Sequence, residues 1–384
     1  MPRVALLCLC ALSAQPAAAQ DVDLDALVTF YGDNTEFSNP FREGQTILGS
    51  FARVFVEARL NDRLALRAGV FGNQRFGSTE AFDEVRPVLA IVVGGPRSRL
   101  VLGTLETMRH VDGAGPDRTG LHGLLPPMQR ETLVFERPWE AGLQWTVDSA
   151  RLASDVWIDW QRLNTRHERE LFDAGVSSRL RLRPALTVRA DAHVVHQGGQ
   201  LSDRGVVADS TAAAVGVEAA GGAGPLDRVS LEGAAVFSRF VPDRERPERS
   251  RTGVGVFLRT SAEKAGWRLH GILWRASDMI SAEGDRHYHA LRRDGTEFRA
   301  LRDYVEAGLT RTFRLAPASF LEASVRWHLV EGRDEYSFRI LAVAGLRAPL
   351  RRDGEGSGPG ALSPRSPDRS GRAASRGRRY RPPE

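Results

Sequence analysis

The run Phe172-Asp173-Ala174-Gly175-Val176-Ser177-Ser178-Arg179-Leu180-Arg181-Leu182-Arg183 alternates apolar or small residues with polar ones along its whole length. The same alternation fills the segments on either side. Trp139, Ala141, Leu143, Trp145 and Val147 interleave with Glu140, Gly142, Gln144, Thr146 and Asp148, and Leu186, Val188, Ala190, Ala192 and Val194 with Thr187, Arg189, Asp191 and His193. Successive side chains on a strand point to opposite faces, so each segment has one apolar and one charged face. Strands of soluble sandwiches average about 5–6 residues. These run for about ten, the length a tilted strand needs to cross a bilayer. The pattern predicts an all-β fold, a transmembrane antiparallel β-barrel.

Residues 1–19 read as a secretory signal: Arg3 is the positive start, Val4 to Leu12 the apolar core, and Ala17-Ala18-Ala19 the cleavage site, near Ala19. Both cysteines, Cys8 and Cys10, lie inside it, preceded by Leu7 and Leu9 where a lipoprotein signal wants a small residue. The mature chain is therefore expected to hold neither disulfides nor a catalytic thiol. No later run is apolar enough for a membrane helix. Export without a helical anchor points to a bacterial outer membrane.

The net charge of +5 comes from the end of the chain. Residues 351–384 carry nine arginines against Asp353, Glu355, Asp368 and Glu384, whereas residues 21–350 sum to −1. A nucleic-acid partner is not implied. The segment is rich in Arg, Ser, Pro and Gly, lacks an apolar pattern, and is expected to be a disordered periplasmic tail. Its arginines are suited to an anionic cell-wall polymer. The expected layout is a signal at 1–19, a barrel over 20–350 and the tail at 351–384.

Connections between strands fall into two alternating size classes. Turn residues mark short ones at 61–63, 94–98, 148–151, 183–184, 221–227, 263–265 and 316–317. Longer stretches lie near 32–45, 73–84, 107–137, 163–170, 196–210, 241–250 and 277–302. Outer-membrane barrels have short periplasmic turns and long extracellular loops. Placing the short set in the periplasm gives fifteen strands, and Leu24 to Tyr31 supplies a sixteenth. The count is then even, with both termini periplasmic.

The polar register faces the lumen, where charged rings tune ion passage. The candidates for selectivity are Arg53, Arg67, Arg179, Arg181, Arg189, Arg326, Asp155, Asp159, Asp173 and Asp191, with cross-strand salt bridges as their simpler role. Trp139, Trp145 and Trp327 fall on the lipid register, while Trp157 and Trp160, like Trp267 and Trp274, must point to opposite faces. The stretch from Tyr31 to Phe41 has the composition of an ordered surface loop. Tyr31, Asp33, Asn34, Phe37, Asn39 and Phe41 are its candidates for sugar binding, against a loop whose Asx turns merely fix its own backbone.

No nucleophile elbow and no Ser–His pairing stands out, so the expectation is that the chain is not an enzyme. His287-Tyr288-His289 offers two ligands to a metal without a third, and His110, Asp112, Asp117 and His122 crowd the longest loop; exposed polar loops explain both, and neither metal nor cofactor is expected.

The layout resembles the class of bacterial outer-membrane porin-like barrels, and the Tyr31–Phe41 stretch and His122-Gly123-Leu124-Leu125-Pro126 resemble those of uncharacterised Gram-negative outer-membrane proteins. The resemblance implies a fold and a compartment, with outer-membrane lipid and the barrel-assembly machinery as partners, and no assigned activity. The last strand, Tyr336 to Leu350, departs from the usual porin ending by closing on Leu350 rather than Phe or Trp. The expected function is passive or semi-selective passage of small polar solutes. Its rival is a glycan-binding or transport-associated barrel with a plugged lumen.

Overall fold

The computed structural model describes residues 21–107, 120–202, 204–298 and 301–352. The signal, His110, Asp112, Asp117 and the tail beyond Arg352 lie outside the described residues. The chain forms a closed barrel of sixteen antiparallel strands in which every strand pairs with its sequence neighbours and the first closes on the last. They are β1 (Asp21–Glu36), β2 (Thr46–Asn61), β3 (Leu64–Arg75), β4 (Glu84–Gly95), β5 (Ser98–Thr104), β6 (Ala141–Asp148), β7 (Leu152–Arg162) and β8 (Glu170–Arg183) in the first half. The second half comprises β9 (Leu186–Gly198), β10 (Ala208–Ala223), β11 (Leu226–Val241), β12 (Arg251–Lys264), β13 (Trp267–Ser277), β14 (Arg302–Ala316), β15 (Ser319–Val330) and β16 (Arg333–Arg352). Closure removes every sheet edge, which a lipid-immersed sheet requires. No described helix is long and apolar enough to cross a membrane.

The alternation sorts as expected. On β8, Leu180 and Leu182 face outward and are exposed, while Asp173 and Ser177 face inward and are buried. Trp145, Trp160, Trp267 and Trp327 lie on the outer face, and Trp157 and Trp274 point inward. The short turns gather at one end. Ala265-Gly266, between β12 and β13, takes positive φ at both central residues, as a two-residue hairpin of this twist demands. At the opposite end, Glu331-Gly332 makes the same turn between β15 and β16.

The long loops differ from their expected form. Between β5 and β6, residues 120–140 hold no strand and carry one short helix, α1 (Leu133–Glu136). The loop folds inward and buries Leu121, His122, Leu124, Leu125, Met128, Leu133, Val134 and Phe135. The β13–β14 loop buries Met279, Ile280, His287, Tyr288 and His289, and the β1–β2 loop buries Phe37, Asn39 and Phe41. These loops pack on inward side chains of the wall, Trp157, Phe257, Trp274 and Tyr304 among them. A polar lumen has no use for that many apolar groups. They are the inner lining of a plug at the loop end.

Candidate functional site

The plug is tied to the wall by charge. His122 is fully buried, with Nε2 2.8 Å from Glu140 Oε2 and Nδ1 3.1 Å from Asp155 Oδ2. Its ring stacks on Trp157, with centroids 3.8 Å apart and planes 4° from parallel. Gly175 on β8 makes room, since a Cβ there would stand 2.5 Å from the Trp157 ring. Burial opposes protonation of His122, but Glu140 and Asp155 outweigh it and hold the imidazolium up to about 10. Arg179 and Arg189 both donate to the Gly123 carbonyl at 2.9 Å. Arg137 bridges Asp173 at 3.1 Å and Glu283 of the β13–β14 loop at 2.9 Å.

Between the plug and β14–β16 lies a polar cavity of about 20 Å³, lined among others by Asp33, Glu131, His287, Tyr304, Glu306, Arg326, His328, Ser337 and Arg339. That is room for roughly one water. In the strand register Glu306 pairs with His328 and Arg326 with Ser337, so these residues share the inner face. A hydrogen-bonded chain runs along it. Ser337 Oγ is 2.9 Å from His328 Nε2, and His328 Nδ1 is 2.7 Å from Tyr304 Oη. The Tyr304 hydroxyl donates to Glu306 Oε2 at 2.6 Å, and Glu306 Oε1 stands 2.9 Å from His270 Nε2. With the Tyr304 hydroxyl proton directed at Glu306, the Tyr304 oxygen accepts from His328 Nδ1–H, and His328 Nε2 is left with its lone pair toward Ser337. A hydroxyl facing a base, and that base oriented by a third group, is the arrangement that activates a serine.

Most of the selectivity candidates are paired with neighbouring wall or loop groups. Arg67 binds Glu57 at 2.7 Å and Glu106 at 2.6 Å, and Arg179 binds Asp191 at 2.9 Å. Arg189 pairs with Asp191 and Glu232, and Arg326 with Glu131. Asp155 holds His122 and Gln144, Asp159 accepts from the Ala141 amide, and Asp173 accepts from Trp157 and sits against His193. Arg53 faces the lumen over the Phe55 ring, and Arg181 is exposed at the turn end near the Ala150 carbonyl.

The sugar-binding candidates do not form a surface. Tyr31, Asp33, Phe37, Asn39 and Phe41 are buried inside the barrel, and Asn34 alone points outward, bonded to Glu36 and Thr46. Asn39 Oδ1 does cap its own loop, accepting from the Phe41 and Arg42 amides. His287 and His289 are not on an exposed polar loop either. Burial, aided by Arg42 and His328, holds His287 well below its usual range, and burial takes His289 down to about 4. Among the described residues no group of His, Cys, Asp or Glu could hold a metal ion.

The fold and its lumen define a sixteen-stranded outer-membrane β-barrel of porin-like architecture. Its solved relatives in shape include a loop L8 deletion mutant of OmpT, an outer membrane protein of Vibrio cholerae, with TM-score 0.53 and 13% identity over 85% of this chain and 100% of that one. The anion-selective porin from Comamonas acidovorans gives TM-score 0.51 and 11% identity over 85% and 99%. At such identities the likeness is one of fold. Among curated proteins none matches. The model of the Lipid A 3'-O-deacylase-type family matches residues 14–344, and the chain belongs to that family.

This overturns the expectation that the chain is not an enzyme, because the family is one of enzymes. The pairing of Ser337 with His328 was hidden for a geometric reason. Ser337 and His328 are nine residues apart and far from any known linear motif, yet the Glu331-Gly332 turn folds them onto one face. Reading that turn would have exposed the pair, since it fixes the diagonal across β15 and β16.

Proposed function

We propose that the protein is an outer-membrane acyl-ester hydrolase acting on a lipid A-type glycolipid. Ser337 is the nucleophile, His328 its base, and Glu306, acting through Tyr304, the orienting carboxylate. The observation that carries this reading is the 2.9 Å approach of Ser337 Oγ to His328 Nε2 on the wall of an internal cavity. Membership of a deacylase-type family supplies the substrate class. Ser337 Oγ would attack the ester carbonyl while its proton passes to His328 Nε2. His328 would return the proton to the departing sugar hydroxyl, and a water activated by the same imidazole would release the fatty acid. The β1–β2, β5–β6 and β13–β14 loops cover the cavity, so substrate entry requires them to part.

The test is fatty-acid release from purified lipid A by the detergent-folded full chain, followed by mass spectrometry. The wild type should lose an acyl chain, and Ser337→Ala should be slower by roughly 10³-fold or more. Equal release by the variant removes Ser337 from the chemistry, and no release by the wild type removes the function.

A second reading, restricted passage of small polar solutes, is favoured by a sixteen-strand lumen lined with charge of both signs. Steady ohmic conductance of the wild type in planar bilayers supports it. Silence from folded protein favours the plugged barrel.

A further inference from the structure

Two arginines on the cavity wall converge on a single oxygen. Arg326 Nη1 from β15 and Arg339 Nη1 from β16 each stand 2.8 Å from Oε2 of Glu131. All three side chains are 13% exposed, so the contact is largely withdrawn from water. Arg339 also binds Asp33 at 2.8 Å, and Glu306 lies 3.5 Å from Arg326. Asp33 and Glu306 thus balance the two guanidiniums before Glu131 is counted, and Glu131 adds one further negative charge. The buried Arg326 Nε has no hydrogen-bond partner, so donor capacity remains.

The two sides of this contact differ in rigidity. Arg326 and Arg339 are fixed by the strand ladder, whose loss would open the barrel. Glu131 sits on the inward loop just before α1, outside the strand ladder. Planar guanidinium forks suit carboxylate and phosphate oxygens, and a singly charged phosphate can replace a carboxylate charge for charge. The pair lines the same cavity as Ser337.

We propose that Arg326 and Arg339 form a binding site for a ligand's phosphate group, and that Glu131 occupies it as an internal stand-in until the loop withdraws. This deepens the hydrolase reading, on which the role of the bound group as part of a substrate rests. Binding itself requires no turnover.

The test is isothermal titration of the detergent-folded full chain with two probes, inorganic phosphate and dihexanoyl phosphatidic acid. Glu131→Ala should bind phosphate at least tenfold more tightly than the wild type, and adding Arg339→Gln should abolish the gain. Tighter binding of the phosphatidic acid marks a lipid headgroup as the source, and equal binding marks free phosphate. If Glu131→Ala loses heat-modifiable gel migration, the isosteric Glu131→Gln is titrated instead, with the same expectation. Equal affinity in wild type and variant, or a gain that survives Arg339→Gln, overturns the proposal. So does the absence of binding to either Glu131 variant. Fatty-acid release is not read in this experiment, so a failure of the Ser337 assignment shows separately.

Discussion

Replacing His122 by Ala removes the cation that holds the β5–β6 loop inside the barrel. Glu140 and Asp155 would then remain buried without it, at 1% and 3% exposure. Breaking a buried ion pair by deleting one partner costs about 3–5 kcal/mol. Arg137, 3.6 Å from Glu140, and Gln144, 2.9 Å from Asp155, compensate in part and place the electrostatic loss near the low end of that range. The stack on Trp157 adds about 0.5–1.5 kcal/mol. A total of about 3–5 kcal/mol corresponds to a release of the loop that is roughly 100- to 4,000-fold more frequent. The barrel should survive, because its strand ladder does not pass through His122. Limited trypsinolysis after Arg130 in liposomes reads the open population directly when reclosing outpaces cleavage. The variant should be cut at least 100-fold faster while its gel migration stays heat-modifiable. Equal protection of variant and wild type would mean that His122 does not hold the loop, and would assign its retention to apolar burial of Leu121, Leu124 and Phe135.

The same contact predicts a pH response. The folded-state pKa of His122, about 10, lies above its ordinary value of 6.5, so its contribution is complete below 6.5 and fades as pH rises toward 10. Loop cleavage in the wild type should accelerate over that window, and in His122→Ala it should not follow the same curve. Gly175→Ala places a Cβ 2.5 Å from the Trp157 ring. It should displace the stack at a cost of about 1–3 kcal/mol, seen as faster loop cleavage in an intact barrel. In planar bilayers, His122→Ala should show openings larger and more frequent than the wild type, since the loop and not the wall fills the loop end. Deleting residues 353–384 should leave heat-modifiable migration unchanged, because the last strand already closes on β1 with Asp21 opposite Arg352.

The barrel was legible because alternation along a strand is a local property, repeated in every hairpin. Strand number followed from turn residues such as Asn61-Asp62 and Pro184, and Trp157 with Trp160 fell on opposite faces as spacing demands. The plug was not legible. Leu121, Leu124, Leu125 and Met128 have no period, and nothing in their spacing says whether a loop turns outward or into the lumen. The site suffered from the same blindness to distance in sequence. Glu131 meets Arg326 and Arg339 across 195 and 208 residues. Arg326 was expected in the lumen on register grounds and stands opposite Ser337 across the β15–β16 hairpin, but only entry of the loop brings Glu131 to it.

The role of Ser337 as a nucleophile activated by His328 can be measured as reactivity, without any substrate. The folded full chain is incubated with an alkyl fluorophosphonate, digested, and the peptide containing Ser337 is weighed by mass spectrometry. The wild type should be phosphonylated stoichiometrically at Ser337, His328→Gln should label far more slowly, and Ser337→Ala should carry no label at that position. A wild-type chain that stays unmodified at Ser337, or one labelled equally fast without His328, would contradict that role.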